Sequence, residues 1–405
     1  MRWNYKLLAF LSNFSLGLCA PIFSLMLCRH GCSLQSLGLA ISIFSVTIIA
    51  AEIPSGVFAD MFGRKLSFIA SCLVGVVSGI IILTSHNFVT LAIGLVFLGL
   101  STAFASGSLD ALAVEAAVEH NGQSAMTKAI ASVLTFQCIG LASGALAGGL
   151  LPYTEGYLLH LLMRCIVCLI TACVALSLPH EAVKGKAASR TSLFQHLSQI
   201  AHILRMNPTL IIIVLCIVFA SIVQSSLETY WQPQLAAIMA NNMQTASGIL
   251  AAAAYLATTL GCLLLGRIKL SASQHSRIVY FVIASIIAVF VVLLSLASNL
   301  IAFSAIYIVL YLLIGMLSVS EQSIINSNVT NEIRASILSI SSFAARTGVF
   351  LSGILCSFFI ISGSISYVWR ITAVITTVGL TVIFILQIML PHQYKKTGQA
   401  FDSQQ

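Results

Sequence analysis

Long apolar segments dominate this chain and decide which solvent it can fold in. Hydrophobic residues make up 59% of its 405 residues and charged residues only 7%, with a mean hydropathy of +1.03. A soluble domain usually carries about 25% charged residues, so this sequence cannot build a water-exposed surface. A membrane-spanning helix needs roughly 20 mainly apolar residues. The composition therefore predicts a chain whose main solvent is lipid.

The apolar segments are separated by short polar connections, which predicts an all-α integral membrane protein with about twelve transmembrane helices. The first apolar run follows a short polar start and is long enough to span and to remain uncleaved. The predicted spans are 7–28, 36–58, 66–84, 88–112, 128–150, 158–178, 209–231, 245–266, 277–297, 300–322, 336–360 and 367–390.

The spans divide into two sets of six around the longest polar stretch. The sixth and twelfth spans both end in the tripeptide Leu-Pro-His, at Leu178 and Leu390, which indicates a weak internal repeat. Repeated halves are common in secondary transporters. We predict an N-terminal six-helix bundle (1–178), a cytoplasmic linker (179–208), a C-terminal six-helix bundle (209–390) and a cytoplasmic tail (391–405).

The basic residues predict how the chain is oriented. Most of its nineteen Lys and Arg residues fall in connections on the same side as the N-terminus, and short cytoplasmic loops carry such an excess. We therefore predict a multi-pass protein of the cell (plasma) membrane with both termini cytoplasmic and the lipid bilayer as its surroundings. The net charge of +8 does not indicate nucleic acid, because the basic residues only punctuate apolar segments.

The cysteines and the known catalytic motifs argue against a metal site and against an enzyme. Most of the eleven cysteines lie in apolar runs without zinc-type spacing, where they behave as small hydrophobes. Cys28 and Cys32 flank a predicted extracellular turn and are either free or joined. HExxH, GxSxG and nucleotide-binding GxxxxGK[ST] motifs are missing from the sequence. We predict no catalytic residue, no metal and no cofactor. Without a nucleotide-binding motif, any transport by this chain would be driven by an ion gradient.

A charged loop between the second and third spans carries the most specific motif. The pattern Gly56-x-x-x-Asp60-x-x-Gly63-Arg64-Lys65 resembles the signature loop of the major facilitator superfamily. The resemblance extends over nearly the whole chain. It implies the fold of that superfamily, in which two six-helix pseudo-repeat bundles rock about a shared seam and expose a central cavity to alternate sides.

The resemblance also implies a conformational latch on the cytoplasmic side. Asp60 would accept hydrogen bonds from the N-terminus of the eleventh span, where the helix dipole favours an anion. Arg64 would pair with a carboxylate at the inner end of the fourth span, either Glu115 or Glu119, which lie one turn apart on one face. The alternative is a basic loop that only sets the topology.

Two ionisable residues lie deep in the predicted membrane region. Glu52 lies about 12 Å deeper than Asp60 at 1.5 Å per residue, and Arg346 lies about 15 Å from the inner end of its helix. Such residues are costly in lipid and are functional by default. We predict a Glu52–Arg346 contact across the seam that forms and breaks during transport. The alternative partner of Arg346 is Glu321 of the tenth span.

Proton coupling requires a group that is protonated in one state and ionised in the other, and buried carboxyls can do this. The available acids are Glu52, Asp110, Glu228 and Glu321, with Asp110 and Glu52 as the leading candidates and Arg346 as the deepest cation. For each acid the alternative is a purely structural ion pair. No histidine falls at mid-membrane in the predicted spans, so we do not expect a histidine relay.

In the fold implied by the resemblance, the first, fourth, seventh and tenth spans surround the central cavity. The candidate substrate-binding residues on these spans are mainly aromatic or amide, which suits an amphipathic, cationic or zwitterionic organic solute. For each of them the alternative is ordinary helix packing, and for the acid on the seventh span it is an interfacial position. The candidates are Asn13, Phe104, Gln224, Glu228 and Gln322, with Phe14 and Tyr230 as further wall residues.

The fifth predicted span contains glycines at four-residue steps, which permit close helix contact. They resemble the antiporter motif of drug exporters, although Ala145 stands where that motif has proline. Close packing explains the same residues without a coupling role. The glycines are Gly140, Gly144, Gly148 and Gly149.

Taken together, the motifs resemble a bacterial drug–proton antiporter branch of the superfamily. Residues 52–56 and 334–339 carry this part of the resemblance. It implies a monomer that exports small amphipathic compounds such as antibiotics, tetracycline-like drugs among them, in exchange for protons. Two alternatives stay open, namely a symporter or facilitator that imports a small metabolite, and a membrane receptor that transports nothing.

Overall fold

The computed structural model describes residues 3–122, 126–152, 155–178, 208–239, 243–268, 273–327, 334–360 and 364–389. All regular structure in these ranges is helical. The predicted linker, apart from Pro208, and the predicted tail lie outside the described residues. The proposed domain boundaries therefore stay predictions.

Fourteen α-helices are present in the described part of the chain. Their bounds match the predicted spans closely, because each apolar run was close to the length needed to cross a bilayer. They are α1 (Trp3–Cys19), α2 (Phe23–Arg29), α3 (Leu34–Phe62), α4 (Arg64–Leu83), α5 (Phe88–Ala105), α6 (Ser108–Asn121), α7 (Met126–Leu150), α8 (Leu158–Leu176), α9 (Pro208–Ile238), α10 (Met243–Gly266), α11 (Ser273–Leu296), α12 (Leu300–Ser327), α13 (Arg334–Phe359) and α14 (Ile365–Met389).

These helices account for the predicted transmembrane spans. In the described residues, eleven helical segments are long and apolar enough to cross a membrane, with α5 and α6 counted as one. The pair α1 and α2, bent by 55°, forms a twelfth span. An even number of spans brings Trp3 and Met389 to the same side. We call this side the terminal face and the other side the opposite face.

The backbone groups left free at the bend in the first span are hydrogen-bonded by a side chain from the other half of the molecule. Pro21 stands between α1 and α2, and proline has no backbone N–H to continue a helix. The Gln232 amide donates to the Ala20 carbonyl at 2.5 Å and accepts from the Ser24 N–H at 2.6 Å. Since backbone groups in lipid must find partners within the protein, Gln232 stabilises a break that lipid alone would not tolerate.

The helices pack as two groups. In the first, the N-terminal bundle (α1–α8), α1 packs on α7 and α8, and α4 packs on α5 and α8. In the second, the C-terminal bundle (α9–α14), α9 packs on α13 and α14, and α12 packs on α10 and α11. The two bundles meet along a seam formed by α3 with α13, α7 with α10, and α2 with α9.

The seam is closed toward the opposite face by two pairs of glycines. A Cβ on Gly149 of α7 would lie 2.5 Å from the Cα of Gly248 of α10. Gly38 of α3 and Gly353 of α13 face each other in the same way, because a Cβ on either would overlap the other's carbonyl oxygen. Small residues let helix backbones approach closely in lipid, so these four positions set how tightly the bundles close.

Hydrogen bonds across the seam, like the glycine contacts, are concentrated toward the opposite face. Ser42 donates to the Phe350 carbonyl at 2.8 Å, and Gln244 donates to the Leu151 carbonyl at 2.8 Å. In the described residues, the cross-seam hydrogen bonds lie between mid-membrane and the opposite face. Toward the terminal face, a Cβ on Gly56 of α3 would meet no atom within 4 Å. The structure is therefore closed at the opposite face, and we infer that the terminal face is the open side.

Replacing Gly248 with valine is expected to weaken closure at the opposite face. Overpacking a tight contact costs about 1–3 kcal/mol, and no flexible side chain is present to yield. Hydrogen–deuterium exchange should increase at the end of α7 and the start of α10. Gly266→Val is the matched control on the same helix, because a Cβ there meets nothing within 4 Å. Equal exchange in both variants would contradict the role of the glycine contact.

Candidate solute and coupling site

The signature loop is a tight turn that only glycine adopts easily. Gly63 is the single residue between α3 and α4, and its φ is +92°. Side chains rarely tolerate this region of backbone conformation. Gly63 thus fixes how α3 meets α4, and it brings Arg64 and Lys65 to the first turn of α4.

Arg64 forms an ion pair with one of its two predicted partners. Its guanidinium lies 3.5 Å from the Glu115 carboxylate on α6, and the two side chains are 38% and 61% exposed. Glu119, one turn further, is exposed and forms no ion pair with a described residue. Exposed pairs of this kind contribute about 0–1 kcal/mol. Both residues belong to the N-terminal bundle, so the ion pair does not itself cross the seam.

Asp60 lies exposed near the end of α3, at the open terminal face. Among the described residues it has no hydrogen bond and no ion pair. Its predicted partner is the start of α13 in the other bundle. The latch function of Asp60 stays a prediction, and it concerns the state in which the terminal face closes.

Lys65 does not lie at the seam, which corrects its assignment to the latch. Its ammonium group is buried and donates to the carbonyls of Leu176 and Leu178, at 2.8 and 2.5 Å. These carbonyls end α8, where a helix leaves acceptors unsatisfied and its dipole favours a cation. Lys65 therefore ties α4 to α8 inside the N-terminal bundle.

Arg346 interacts with Glu52, its predicted partner across the seam, and also with a second acid, Glu228. It lies in the middle of α13 and interacts electrostatically with both Glu228 of α9 and Glu52 of α3. Its guanidinium is not within 4 Å of either carboxylate, while Ser45 of α3 donates to its backbone carbonyl at 2.8 Å. Arg346 thus lies at mid-membrane on the seam, with one acid in each bundle.

Glu228 does not occupy the interfacial position considered from the sequence. The helix α9 continues to Ile238, which places Glu228 about 15 Å before its end. Its side chain is exposed although Leu227 and Tyr230 beside it are fully buried. Its charged neighbour Arg346 lies on α13, the helix that packs on α3 at the seam, so we infer that this exposed surface faces the space between the bundles. Gln224 donates to its carboxylate at 3.1 Å.

Three tyrosines that sequence reasoning missed lie around Glu228. Tyr255 of α10 and both Tyr307 and Tyr311 of α12 interact electrostatically with its carboxylate. The rings of Tyr307 and Tyr311 are 4.7 Å apart, and Trp231 lies 4.9 Å from Tyr307. The sequence signal that could have identified these tyrosines is a polar ring within an otherwise apolar helix. Glu228 thus lies in an aromatic setting in which Tyr255 is half-buried and the other rings are buried.

Asp110 lies in the N-terminal bundle, apart from Arg346. It belongs to the first turn of α6, which begins after a break at Gly107, where φ is +66°. The exposed carboxylate accepts a hydrogen bond from Gln137 of α7 at 2.8 Å. Gln137 is another polar residue in an apolar helix that sequence reasoning did not select. Asp110 is held by an amide and not by a cation.

The other predicted substrate-binding residues are divided between surface and packing. The Asn13 amide donates to the Ala9 carbonyl of its own helix at 3.1 Å, and Phe104 packs edge-on against Phe58 at 5.3 Å. Gln322 is exposed.

Tyr230 is fully buried and donates to the Leu34 carbonyl across the seam at 3.3 Å. Tyr230 is therefore a seam contact and not a cavity wall residue, and Phe14 stacks on Phe10 at 5.6 Å.

Glu321 is not the partner of Arg346, which interacts instead with Glu228 and Glu52. Glu321 lies near the end of α12 and lines a small cavity with Arg277 and Tyr280 of α11. The alternative pairing considered from the sequence is therefore not found in the described residues. The candidate coupling acids occupy separate places rather than one cluster.

The glycines of α7 serve close packing. Gly140, Gly144 and Gly148 contact the backbone of α1, and a Cβ on any of them would overlap it. Gly149 alone of the four faces the other bundle. Cys28 and Cys32, the close pair noted in the sequence, are both free thiols.

The two packed bundles, the seam and its buried charges define a membrane transporter fold. The sequence model of the Major Facilitator Superfamily matches residues 7–352, and the chain belongs to this family. A curated relative, the "Uncharacterized MFS-type transporter YxaM" of Bacillus subtilis (strain 168), is 23% identical over 228 residues, which is 56% of either protein. The match thus spans just over half the length of that relative.

Solved structures share the fold across almost the entire chain. The nucleoside transporter NupG superposes with a TM-score of 0.76 at 16% identity, covering 94% of this chain and 98% of NupG. A bacterial homologue of the human lysosomal transporter Spinster, in an inward-facing and occupied conformation, gives a TM-score of 0.71 at 13% identity, covering 96% of both. Identities this low establish the fold and not the solute.

Replacing Lys65 with methionine is expected to destabilise the N-terminal bundle, because hydrogen bonds from a charged donor contribute about 1.5–3 kcal/mol. Thermal unfolding in detergent should shift to lower temperature. Asp60→Asn is the control in the same loop and should leave the unfolding temperature unchanged, since Asp60 is exposed. A Lys65 variant as stable as the parent would show that the contacts to α8 contribute nothing.

Proposed function

We propose that this chain is a proton-coupled secondary transporter that exports small amphipathic organic solutes, cations in particular, by alternating access. One observation supports this most directly. Arg346 lies on the seam, at the boundary between the closed and open parts of the structure. Its guanidinium interacts with one acid in each bundle. A charge set of that kind responds both to bundle motion and to a bound cation.

The charge balance of the set favours exchange. Glu228 and Glu52 supply two carboxylates, and Arg346 supplies one guanidinium. The second carboxylate is left for a proton or for a solute cation, and the two compete for the same negative charge. A ligand shifts a two-state equilibrium only through its different affinity for the two states. Proton and solute would therefore drive the bundles in opposite directions, which is antiport.

The aromatic setting of Glu228 supports an amphipathic solute. Cations are attracted to the faces of aromatic rings, and the effect increases when the site is desolvated. Tyr255 of α10 is half-buried and interacts with the exposed carboxylate. An apolar body with one positive charge would use the rings and the acid together.

The direction of transport follows from the predicted orientation. If the terminal face is cytoplasmic, as the basic residues indicate, the structure is open to the cytoplasm and ready to accept a solute for export. Asp60 and Arg64 would then clasp the terminal face when the bundles rock to the outward-open state. We propose a monomer in the plasma membrane with no cofactor, energised by the proton gradient.

A second candidate function is import of a nucleoside-like metabolite. The fold is similar to that of a nucleoside transporter, and the surroundings of Glu228 combine tilted aromatic rings with the Gln224 amide. Aromatic faces stack on nucleobases, and amides and carboxylates bind hydroxyls. A neutral solute would use the same rings and would not need the excess negative charge.

Transport in inverted membrane vesicles separates these functions. We expect a proton gradient, acidic inside, to drive uptake of a fluorescent organic cation such as ethidium. Glu228→Gln should abolish this uptake, because the solute loses its countercharge, whereas Glu119→Gln should behave as the parent. Gradient-driven movement of adenosine or uridine, without movement of the cation, would replace export of cations with the nucleoside alternative.

Reversing the charges on the seam tests the role of Arg346. Glu52→Arg and Arg346→Glu should each abolish transport, because each leaves like charges together at mid-membrane. The double variant restores opposite charges across the seam and should recover part of the activity. The recovery will be incomplete, since Glu228 also faces position 346. A double variant as inactive as both single variants would refute the cross-seam interaction.

A further inference from the structure

A small, partly open cavity lies within the C-terminal bundle, separate from the space between the bundles. It has a volume of about 10 Å³ and is surrounded by α9, α11 and α12 near the terminal face. Its walls are mainly apolar, with three polar side chains: Arg277, Tyr280 and Glu321. Apolar walls around a carboxylate are costly unless the charge is neutralised.

Two of these polar groups lack a hydrogen-bond partner among the described residues. Tyr280 is 3% exposed, and its hydroxyl is left without one. The Glu321 carboxyl, within the same part of the chain, takes part in no hydrogen bond and no ion pair. A buried hydroxyl left unsatisfied costs about 1–3 kcal/mol. Both groups face one cavity, yet they lie too far apart to bond directly.

One water molecule would connect them. A cavity of roughly 10–15 Å³ holds one water when polar partners are available, and a polar gap beyond hydrogen-bond distance is commonly bridged in this way. We propose that Glu321 is a proton-binding site of the C-terminal bundle, in which the protonated carboxyl donates to a single water that also bonds the Tyr280 hydroxyl.

The surroundings favour a proton over a metal cation. Removing a carboxylate from water favours its neutral form. The Cys216 thiol of α9, which also lines the cavity, is a poor ligand for sodium or potassium. The described wall offers one carboxyl and one phenol oxygen, too few for a hard cation. The proton enters from water at the terminal face, bonds to a carboxylate oxygen and returns to water when the acid ionises.

The site is linked to the central cavity by one helix. Tyr311, beside Glu228, precedes Glu321 by ten residues on α12, about 15 Å along the axis. Uptake of a proton at Glu321 is thus separate from binding of a solute at Glu228. This role in coupling rests on the proposed function, whereas the proton binding itself does not.

Infrared difference spectroscopy of the purified protein between acidic and alkaline pH tests proton binding without any solute. We expect a carbonyl band of a protonated carboxyl that is missing in Glu321→Gln, shifted in Tyr280→Phe and unchanged in Glu119→Gln. If Glu321→Gln retains every such band, Glu321 does not bind the proton. If the band is identical in Tyr280→Phe, the bridging water is refuted. Tyr280→Phe keeps the acid and the packing, so it remains informative should Glu321→Gln fold poorly.

Vesicle transport then tests the coupling. Glu321→Gln should lose part of the gradient-driven accumulation of the organic cation while it still exchanges labelled for unlabelled cation at equilibrium, because exchange needs no net proton movement. Accumulation at the level of the parent would refute coupling through Glu321. Absence of cation transport in the parent itself would refute the proposed function, and the infrared result would still decide whether Glu321 binds a proton.

Discussion

Direct backbone contact between the bundles at the opposite face is the constraint on which the rest of the structure depends. Helices in lipid gain nothing from excluding water, so their association relies on close packing and hydrogen bonds. The pairs Gly38–Gly353 and Gly149–Gly248 allow that closeness. Each pair joins one helix from each bundle, so the bundles can part at the terminal face while they remain packed at the other end.

The charged residues make sense only with this geometry. A guanidinium at mid-membrane is expensive in lipid, but Arg346 lies where the closed seam gives way to the open space between the bundles. The hydrogen bond from Ser45 to its backbone fixes the peptide on the closed side. Its side chain interacts electrostatically with Glu228 and Glu52. The position of α3 relative to α13 therefore determines how strongly the guanidinium interacts with each of the two acids.

Much of the fold was predictable, because the bilayer sets the length of each apolar run. The helix positions follow from the apolar runs, and the Arg64–Glu115 pair is one of the two pairings that the family resemblance implied. The cap formed by Lys65 on α8 was not predictable, since it joins residues more than a hundred positions apart. Glu228 was misplaced because the predicted span ended at residue 231, whereas the membrane-spanning helix continues to Ile238.

The separation of acids along α12 and α9 bears on how a transporter of this kind avoids leaking protons. Were a single carboxylate to bind both proton and solute, its access to each side would have to be controlled by the cavity alone. Here Glu228 opens to the space between the bundles, whereas Glu321 lies in a separate small pocket with Tyr280. A rigid helix carries Tyr311 and Glu321 together, so a shift of α12 that adapts to a solute also changes the packing around the acid in that pocket. Coupling would then be mechanical, through a helix that both sites bias, and would add to any competition for charge beside Arg346.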